Sequence, residues 1–234
     1  MITVTKNNVK INIVDACLQP DEWWQNIYPT SWEPETFVLF DKYLSSDMTY
    51  LDLGTYTGHT ILYAAQKVKR AFGVELDPLA YRACAANIKA SHLSNTVLEH
   101  CAISHKNGEV FINESLQGTS GCHITDSSRI SVPAFTIESL ADRWGVNKFD
   151  FIKMDIEGAE EAVLPAMRQF LKKQTPSLYL SVHLSHGVKP ETIAGLLDVY
   201  KYAYFNGKEV ASDLLNTVKN GPQGYGNEYF FTNK

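Results

Sequence analysis

The sequence predicts an α/β protein built on a doubly wound, mostly parallel sheet. Three observations predict it. Apolar stretches with strand character alternate with amphipathic helical stretches through residues 49–198, and such alternation implies parallel strands joined by right-handed crossovers. The segment Tyr50–Thr60, YLDLGTYTGHT, reads as a strand, a glycine-punctuated loop and the start of a helix. Acids stand where strands end, at Asp52, Glu75 and Asp155, the edge at which open α/β sheets place ligands.

The elements follow in order. Residues 1–15 read as a hairpin, because ITVT and VKINIV alternate around Lys6-Asn7-Asn8. Residues 20–46 read as two helices broken near Pro29, the second containing the amphipathic stretch ETFVLFDKYL. Strands are expected at 49–53, 71–75, 96–101, 149–154 and 177–183, and helices at 60–68, 78–91, 136–143, 159–172 and 190–198. The segment 107–135 departs from a simple crossover: a strand at Glu109–Asn113, a Gly/Ser-rich loop QGTSGCHITDSS, then VPAFTI. The tail holds two more strand patterns, Tyr202–Phe205 and Glu228–Thr232, with the glycine-rich KNGPQGYGN between them. The expected division is 1–46 as an N-terminal hairpin and helical elaboration and 47–234 as the main domain.

Composition narrows the function classes. A chain of 234 residues with 44% hydrophobic residues supports one domain with an elaboration. A net charge of -5 argues against a nucleic-acid surface, which wants a basic stripe. No apolar run is long enough to span a bilayer, so no membrane partner is expected. The N-terminus alternates and has no signal-peptide core. Cys17, Cys84, Cys101 and Cys122 form no C-x-x-C pair, which fits free thiols in a reducing, cytoplasmic compartment.

The glycine loop sets the ligand class. A dinucleotide site wants G-x-G-x-x-G with a pyrophosphate on the helix N-terminus. Here the pattern is D-x-G-x-x-x-G, and positions 56 and 60 are Tyr and Thr. Gly54 allows the turn, and Gly58 is expected to let a ligand approach the main chain. A ligand with an adenosine and no phosphate suits this wider loop, and S-adenosylmethionine is the candidate. Glu75 ends the second strand, where a carboxylate accepts hydrogen bonds from ribose hydroxyls. Capping of the next helix is the alternative for Glu75, but Asp77, just before Pro78, suits that role better. Ala102, beside Cys101 after the third strand, falls where adenine contacts are expected. The candidate cofactor contacts are thus Asp52, Gly54, Thr55, Tyr56 and Gly58, then Glu75 and Leu76, then Ala102 and Asp155.

The fourth strand ends in FDFIKMDIEGAEEAVL, placing Asp155, Glu157 and Glu160 at the strand's carboxyl end and the following helix start. Asp155 is expected to face the crevice, while Glu160 and Glu161 also suit a helix N-terminus. LDLGTYTGHT, GVELD, the G-T-S loop and above all IKMDIEGAE together resemble the FkbM-type methyltransferases, over about residues 32–186. The resemblance implies a Rossmann-like, seven-stranded sheet with its last strand antiparallel. It implies S-adenosylmethionine as cofactor and a small-molecule acceptor hydroxyl, commonly on a sugar or natural-product scaffold. Thr55 stands where that family commonly has a small Ala.

Methyl transfer to an alcohol aligns acceptor oxygen, methyl and sulfur and removes the alcohol's proton as the bond forms. His183, at the end of the 177–183 strand, is the base candidate, with Asp155 and Glu157 as the other catalytic candidates; His186 and His123 are weaker ones on loops. A structural histidine paired with a carboxylate is the alternative for His183. A second alternative is a divalent cation such as Mg²⁺ on Asp155, Glu157 and His183, orienting a diol. Trp32 and Glu33 can fold over the site as a lid, and Trp23, Trp24 and Tyr28 suit sugar stacking, with ordinary packing the plainer reading. A protein or nucleic-acid methyltransferase and a non-catalytic binding module are the competing functions. DIEG stands where base-modifying enzymes carry an Asn/Asp-Pro-Pro-aromatic string.

Overall fold

The computed structural model describes residues 1–16, 18–222 and 227–234; Cys17 and residues 223–226 of the glycine-rich tail connection lie outside them. β1 (Ile2–Lys6) and β2 (Val9–Ile13) pair antiparallel with Ile2 opposite Ile13. Asn7 and Asn8 between them have φ of 44° and 68°, the left-handed pair that a tight two-residue hairpin turn requires and asparagine tolerates. Where two helices were expected, the first is a single π-helical turn, Trp23–Ile27. Pro20 and Pro29 bracket it and leave too few residues to propagate a helix. The second is α1 (Pro34–Tyr43).

The main domain then runs β3 (Thr49–Leu53), α2 (Ile61–Ala64), β4 (Arg70–Glu75), α3 (Pro78–Ala90), β5 (Thr96–His100) and β6 (Ala102–Ile103). β7 (Gly108–Ile112), β8 (Ile124–Thr125), β9 (Ser131–Phe135), α4 (Ile137–Trp144) and β10 (Phe151–Met154) follow. The remainder is α5 (Glu160–Ala166), α6 (Arg168–Gln174), β11 (Ser177–Val182), α7 (Pro190–Ala194), β12 (Tyr202–Phe205), β13 (Lys208–Glu209), α8 (Leu214–Lys219) and β14 (Asn227–Thr232). Three expected helices are shorter than their patterns; the one at 190–198 is α-helical only over α7 and continues as a 3₁₀ turn, Gly195–Asp198. α2 stops at Ala64, and the Asn95 amide takes up the Ala65 and Val68 carbonyls at 2.8 and 3.0 Å. The 159–172 stretch divides into α5 and α6 because Pro165 has no N–H to continue the ladder.

Among the described residues the main sheet has eight strands, ordered β13-β12-β14-β11-β10-β3-β4-β5. Seven correspond to the expected sheet; the eighth, β13, is a two-residue extension hairpinned onto β12. β5, β4, β3, β10 and β11 are parallel, while β14 inserts between β11 and β12 and is antiparallel to both. The irregular 107–135 segment joins β6 in a separate sheet, ordered β6-β9-β7-β8.

Cores fill both faces. Leu51, Phe72, Ile152 and Leu178 pack on one face under α4 to α8. On the other, Tyr50, Phe151 and Tyr179 pack with Val4, Ile11, Trp24, Phe37 and Phe40. The N-terminal segment therefore shares a core with the sheet. Cys84, Cys101 and Cys122 are buried free thiols. Among the described residues no helix is long and apolar enough to cross a membrane.

Candidate active site

The site lies where the winding of the sheet reverses. β3 pairs with β4 on one side and β10 on the other, so the crevice opens between the ends of β3 and β10. Gly54 follows β3 with φ +85°, and a Cβ there would stand 1.9 Å from the Asp155 carbonyl oxygen. Glycine is required because two backbones meet. Gly58, φ +103°, is different from the expectation. A Cβ on it would meet Leu62 at 2.9 Å and Cys84 Sγ at 3.3 Å. It serves the packing of the loop onto α2 and α3, and it does not line the cavity.

One cavity of about 340 Å³ gathers most of the remaining candidates. Gly54, Thr55, Tyr56, Glu75 and Leu76 line it together with Asp155, Glu157 and His183. Ala102 lines a slot of about 10 Å³ beside it, together with Leu76, Ile124 and Ile156. Asp52 is fully buried and accepts from Thr60 Oγ1 at 2.7 Å and Tyr50 Oη at 3.0 Å. Glu75 accepts the Tyr56 N–H at 2.7 Å and the Asp77 N–H at 2.8 Å, one on each oxygen. Burial pushes its carboxyl up to about 7, against the pull of those two N–H groups. Asp77 caps α3 by accepting the Leu79 N–H at 2.8 Å.

The acidic end is an alternating charge cluster. Lys153, 4% exposed inside β10, sets its Nζ 3.1 Å from Asp155 Oδ2 and 3.9 Å from Asp52 Oδ1. Burial pulls the lysine down, but Asp155, Asp52 and Glu33 outweigh it and keep it charged. Burial likewise pushes Asp155 up, and Lys153 and His183 more than offset it, holding the carboxyl below its usual range. His183 faces three carboxylates. Nδ1 is 3.2 Å from Glu160 Oε1, and Nε2 is 3.6 Å from Asp155 and 3.5 Å from Glu157. Burial lowers its pKa, but Glu160 and then Asp155 raise it to about 9. The expected base is thus an imidazolium at neutral pH. Glu160, fully buried, also accepts from the Ile156 and Gly158 N–H groups at 3.1 and 2.6 Å, fixing the turn after β10.

His183 has a consequence for stability. Its folded pKa of about 9 exceeds the ordinary 6.5, so its contribution is full below 6.5 and is lost as pH rises through 9. Denaturant titrations of the parent and His183→Gln should differ most at pH 6 and converge near pH 9.5. A difference that stays constant with pH would show that the imidazolium contributes nothing.

The ligand atoms of Asp155, Glu157 and His183 lie within 4.8 Å of one another. They fit a divalent cation poorly, because the Lys153 ammonium, 3.1 Å from Asp155 Oδ2, already sets a fixed positive charge against the cluster.

The N-terminal segment completes the wall. Trp23, Trp32 and Glu33 line the cavity. The His59 ring lies 4.6 Å from Trp23 and 4.8 Å from Trp32, and burial holds it neutral, down to about 3. Glu33 has φ 40°, accepts from Thr36 Oγ1 at 3.0 Å and is pushed by burial up to about 7. Sequence reasoning missed Lys153, Glu228 and the orienting role of Glu160. The signal for Lys153 was a cation inside the apolar run FDFIKM, since a buried lysine must find a carboxylate.

Comparison with known proteins agrees with this architecture. The model of the methyltransferase FkbM domain matches residues 52–204. The crystal structure of methyltransferase FkbM from Methylobacillus flagellatus KT superposes with a TM-score of 0.59 at 14% identity, covering 87% of this chain and 47% of that one. This chain thus spans about half that protein's length. An rRNA methylase from Streptococcus thermophilus superposes with a TM-score of 0.52 at 10% identity, covering 85% and 93%. At these identities the likenesses show the fold. A search of curated proteins found no match. With the family's domain matching well over half of its length, the chain belongs to the FkbM family of S-adenosylmethionine-dependent methyltransferases.

Proposed function

We propose that this chain moves the methyl group of S-adenosylmethionine onto a hydroxyl of a sugar or other small-molecule natural-product acceptor. The observation that carries the reading is the single cavity lined both by Gly54–Tyr56 and Glu75 and by Asp155 and His183. In this reading Glu75 accepts the ribose hydroxyls, the loop backbone receives the amino-acid portion, and Leu76 and Ala102 flank the adenine. When bound, the cofactor supplies a methyl already activated by sulfonium charge. The residues of the chain position the acceptor and handle its proton. Asp155, kept ionised by Lys153, sets a negative charge beside the acceptor oxygen, which gains positive charge as the methyl arrives. Trp23 and Trp32 offer faces for a sugar ring, and Glu33 and Glu228 accept further hydroxyls. The 1–46 segment is then the acceptor-side wall of the catalytic domain 47–234. No divalent cation enters this reading, since Lys153 supplies the fixed positive charge beside Asp155.

Isothermal titration should show binding of S-adenosylmethionine and S-adenosylhomocysteine and none of NAD. Glu75→Ala should weaken S-adenosylhomocysteine about 10- to 100-fold, the loss expected for a hydrogen bond to a charged group. Unchanged affinity would remove the ribose assignment, and absence of binding by the parent would remove the whole reading.

A further inference from the structure

We propose that Glu157 takes the proton released by the acceptor hydroxyl and that His186 passes it to solvent. The proposal rests on the hydroxyl-methylation reading above. Two cavities meet at this point: the catalytic one of about 340 Å³ and an open outer one of about 500 Å³. Among the described residues Glu157 alone lines both. Its Oε1 is 3.5 Å from His183 Nε2, and its Oε2 is 3.3 Å from His186 Nδ1. The two imidazoles stack at 5.6 Å with planes 12° apart. Exposure rises outward along the path: the side chains are 8% exposed at His183, 17% at Glu157 and 35% at His186.

The backbone is bent to make this arrangement. Glu157 has φ +54°, a left-handed conformation unfavourable for glutamate. Gly158 follows with φ +102°, and a Cβ there would stand 2.7 Å from His186 Cβ and 3.0 Å from its carbonyl oxygen. Any other residue at 158 would push His186 away from Glu157.

Protonation states favour Glu157 over His183. His183 already holds its proton, with Glu160, Asp155 and Glu157 around it. Glu157 is pushed up to about 7 by burial, with His183 opposing and Asp155 and Glu160 adding to the rise. Lys153 faces the same group from β10, Glu33 and Glu228 stand across the catalytic cavity, and His105, His123 and Asp126 line the outer one. A carboxylate titrating near neutral both accepts and releases a proton at little cost. The acceptor oxygen forms its bond to the methyl carbon while the carbon–sulfur bond breaks, its electron pair remaining on sulfur. The O–H proton moves to Glu157, then from Oε2 to Nδ1 of His186, 3.3 Å away, as the Nε2 proton leaves to water.

The test follows S-adenosylhomocysteine release with a panel of methyl glycosides as acceptors in dilute buffer. His186→Ala should lower kcat about 10-fold, a fraction of what a proton-transfer group contributes, with KM and S-adenosylhomocysteine affinity unchanged. Added imidazole should restore the rate, which a purely structural loss would not allow. In the parent, kcat/KM should rise with pH through about 7, and Glu157→Gln should abolish that rise. Parent-like turnover by His186→Ala, or a loss that imidazole does not restore, would overturn the outlet. Activity that collapses with EDTA and returns with Mg²⁺ would overturn it too, making Glu157 a ligand. A parent that binds S-adenosylhomocysteine yet turns over no glycoside would remove the sugar-hydroxyl reading, and the outlet with it.

Discussion

Asp155→Asn should lower kcat/KM by about 10²- to 10⁴-fold, the range of a lost proton-handling or electrostatic group. The amide keeps the shape but removes the charge that organises the acidic end. Lys153, 4% exposed, would be left with Asp52 at 3.9 Å as its near counter-ion. His183 would lose one of three carboxylates and part of its hold on the proton. The acceptor oxygen would lose the negative charge beside it as it gains positive charge from the methyl. The measurement is S-adenosylhomocysteine release, with circular dichroism and cofactor titration showing that the variant folds. Glu161→Gln is the control. Glu161 faces away from the crevice, accepting from the Lys189 N–H at 2.9 Å and Thr192 Oγ1 at 2.7 Å, and its loss should leave turnover unchanged. Full activity in Asp155→Asn would sink the assignment.

Gly54→Ala should have the largest effect on stability. The new methyl would lie 1.9 Å from the Asp155 carbonyl oxygen, and the residue would be forced into φ +85°. The clash is with backbone, so no side-chain rotation relieves it; β3 and β10 must separate at the point where the cavity is built. A cost of about 4 kcal/mol or more is the scale of such defects, or roughly a 10 °C drop in Tm for a chain of this size. Thermal melts with and without S-adenosylhomocysteine would measure it. A variant melting within about 2 °C of the parent, a difference under about 1 kcal/mol, would show that the two strand ends are not so close.

Much of the fold was legible because it is written locally. The alternation of apolar runs with helical patterns placed β3, β4, β5, β10 and β11 within a residue or two. The misses have causes that the hydrophobic pattern does not carry. Trp23–Ile27 is bracketed by prolines, Pro165 divides a helix, and a distant asparagine stops α2 at Ala64. The insertion of β14 between β11 and β12 joins segments far apart in the chain, and no periodicity in either segment encodes that neighbour.

The amino-acid sequence by itself determined the ends of the strands, and with them Gly54, Glu75, Asp155, Glu157 and His183 as residues of one sheet edge. That much follows from chain connectivity, since a residue just after a buried strand must emerge at the sheet's rim. Tertiary structure alone decided their chemistry. Charge state depends on distances between groups from separate segments: Lys153 beside Asp155, Glu160 of α5 beneath His183, and Glu33 from the N-terminal segment across the cavity. Those separations turned the expected base into an imidazolium and set Glu157 between two histidines. Electrostatic interaction falls with distance and strengthens on burial, and neither quantity exists until the chain has folded.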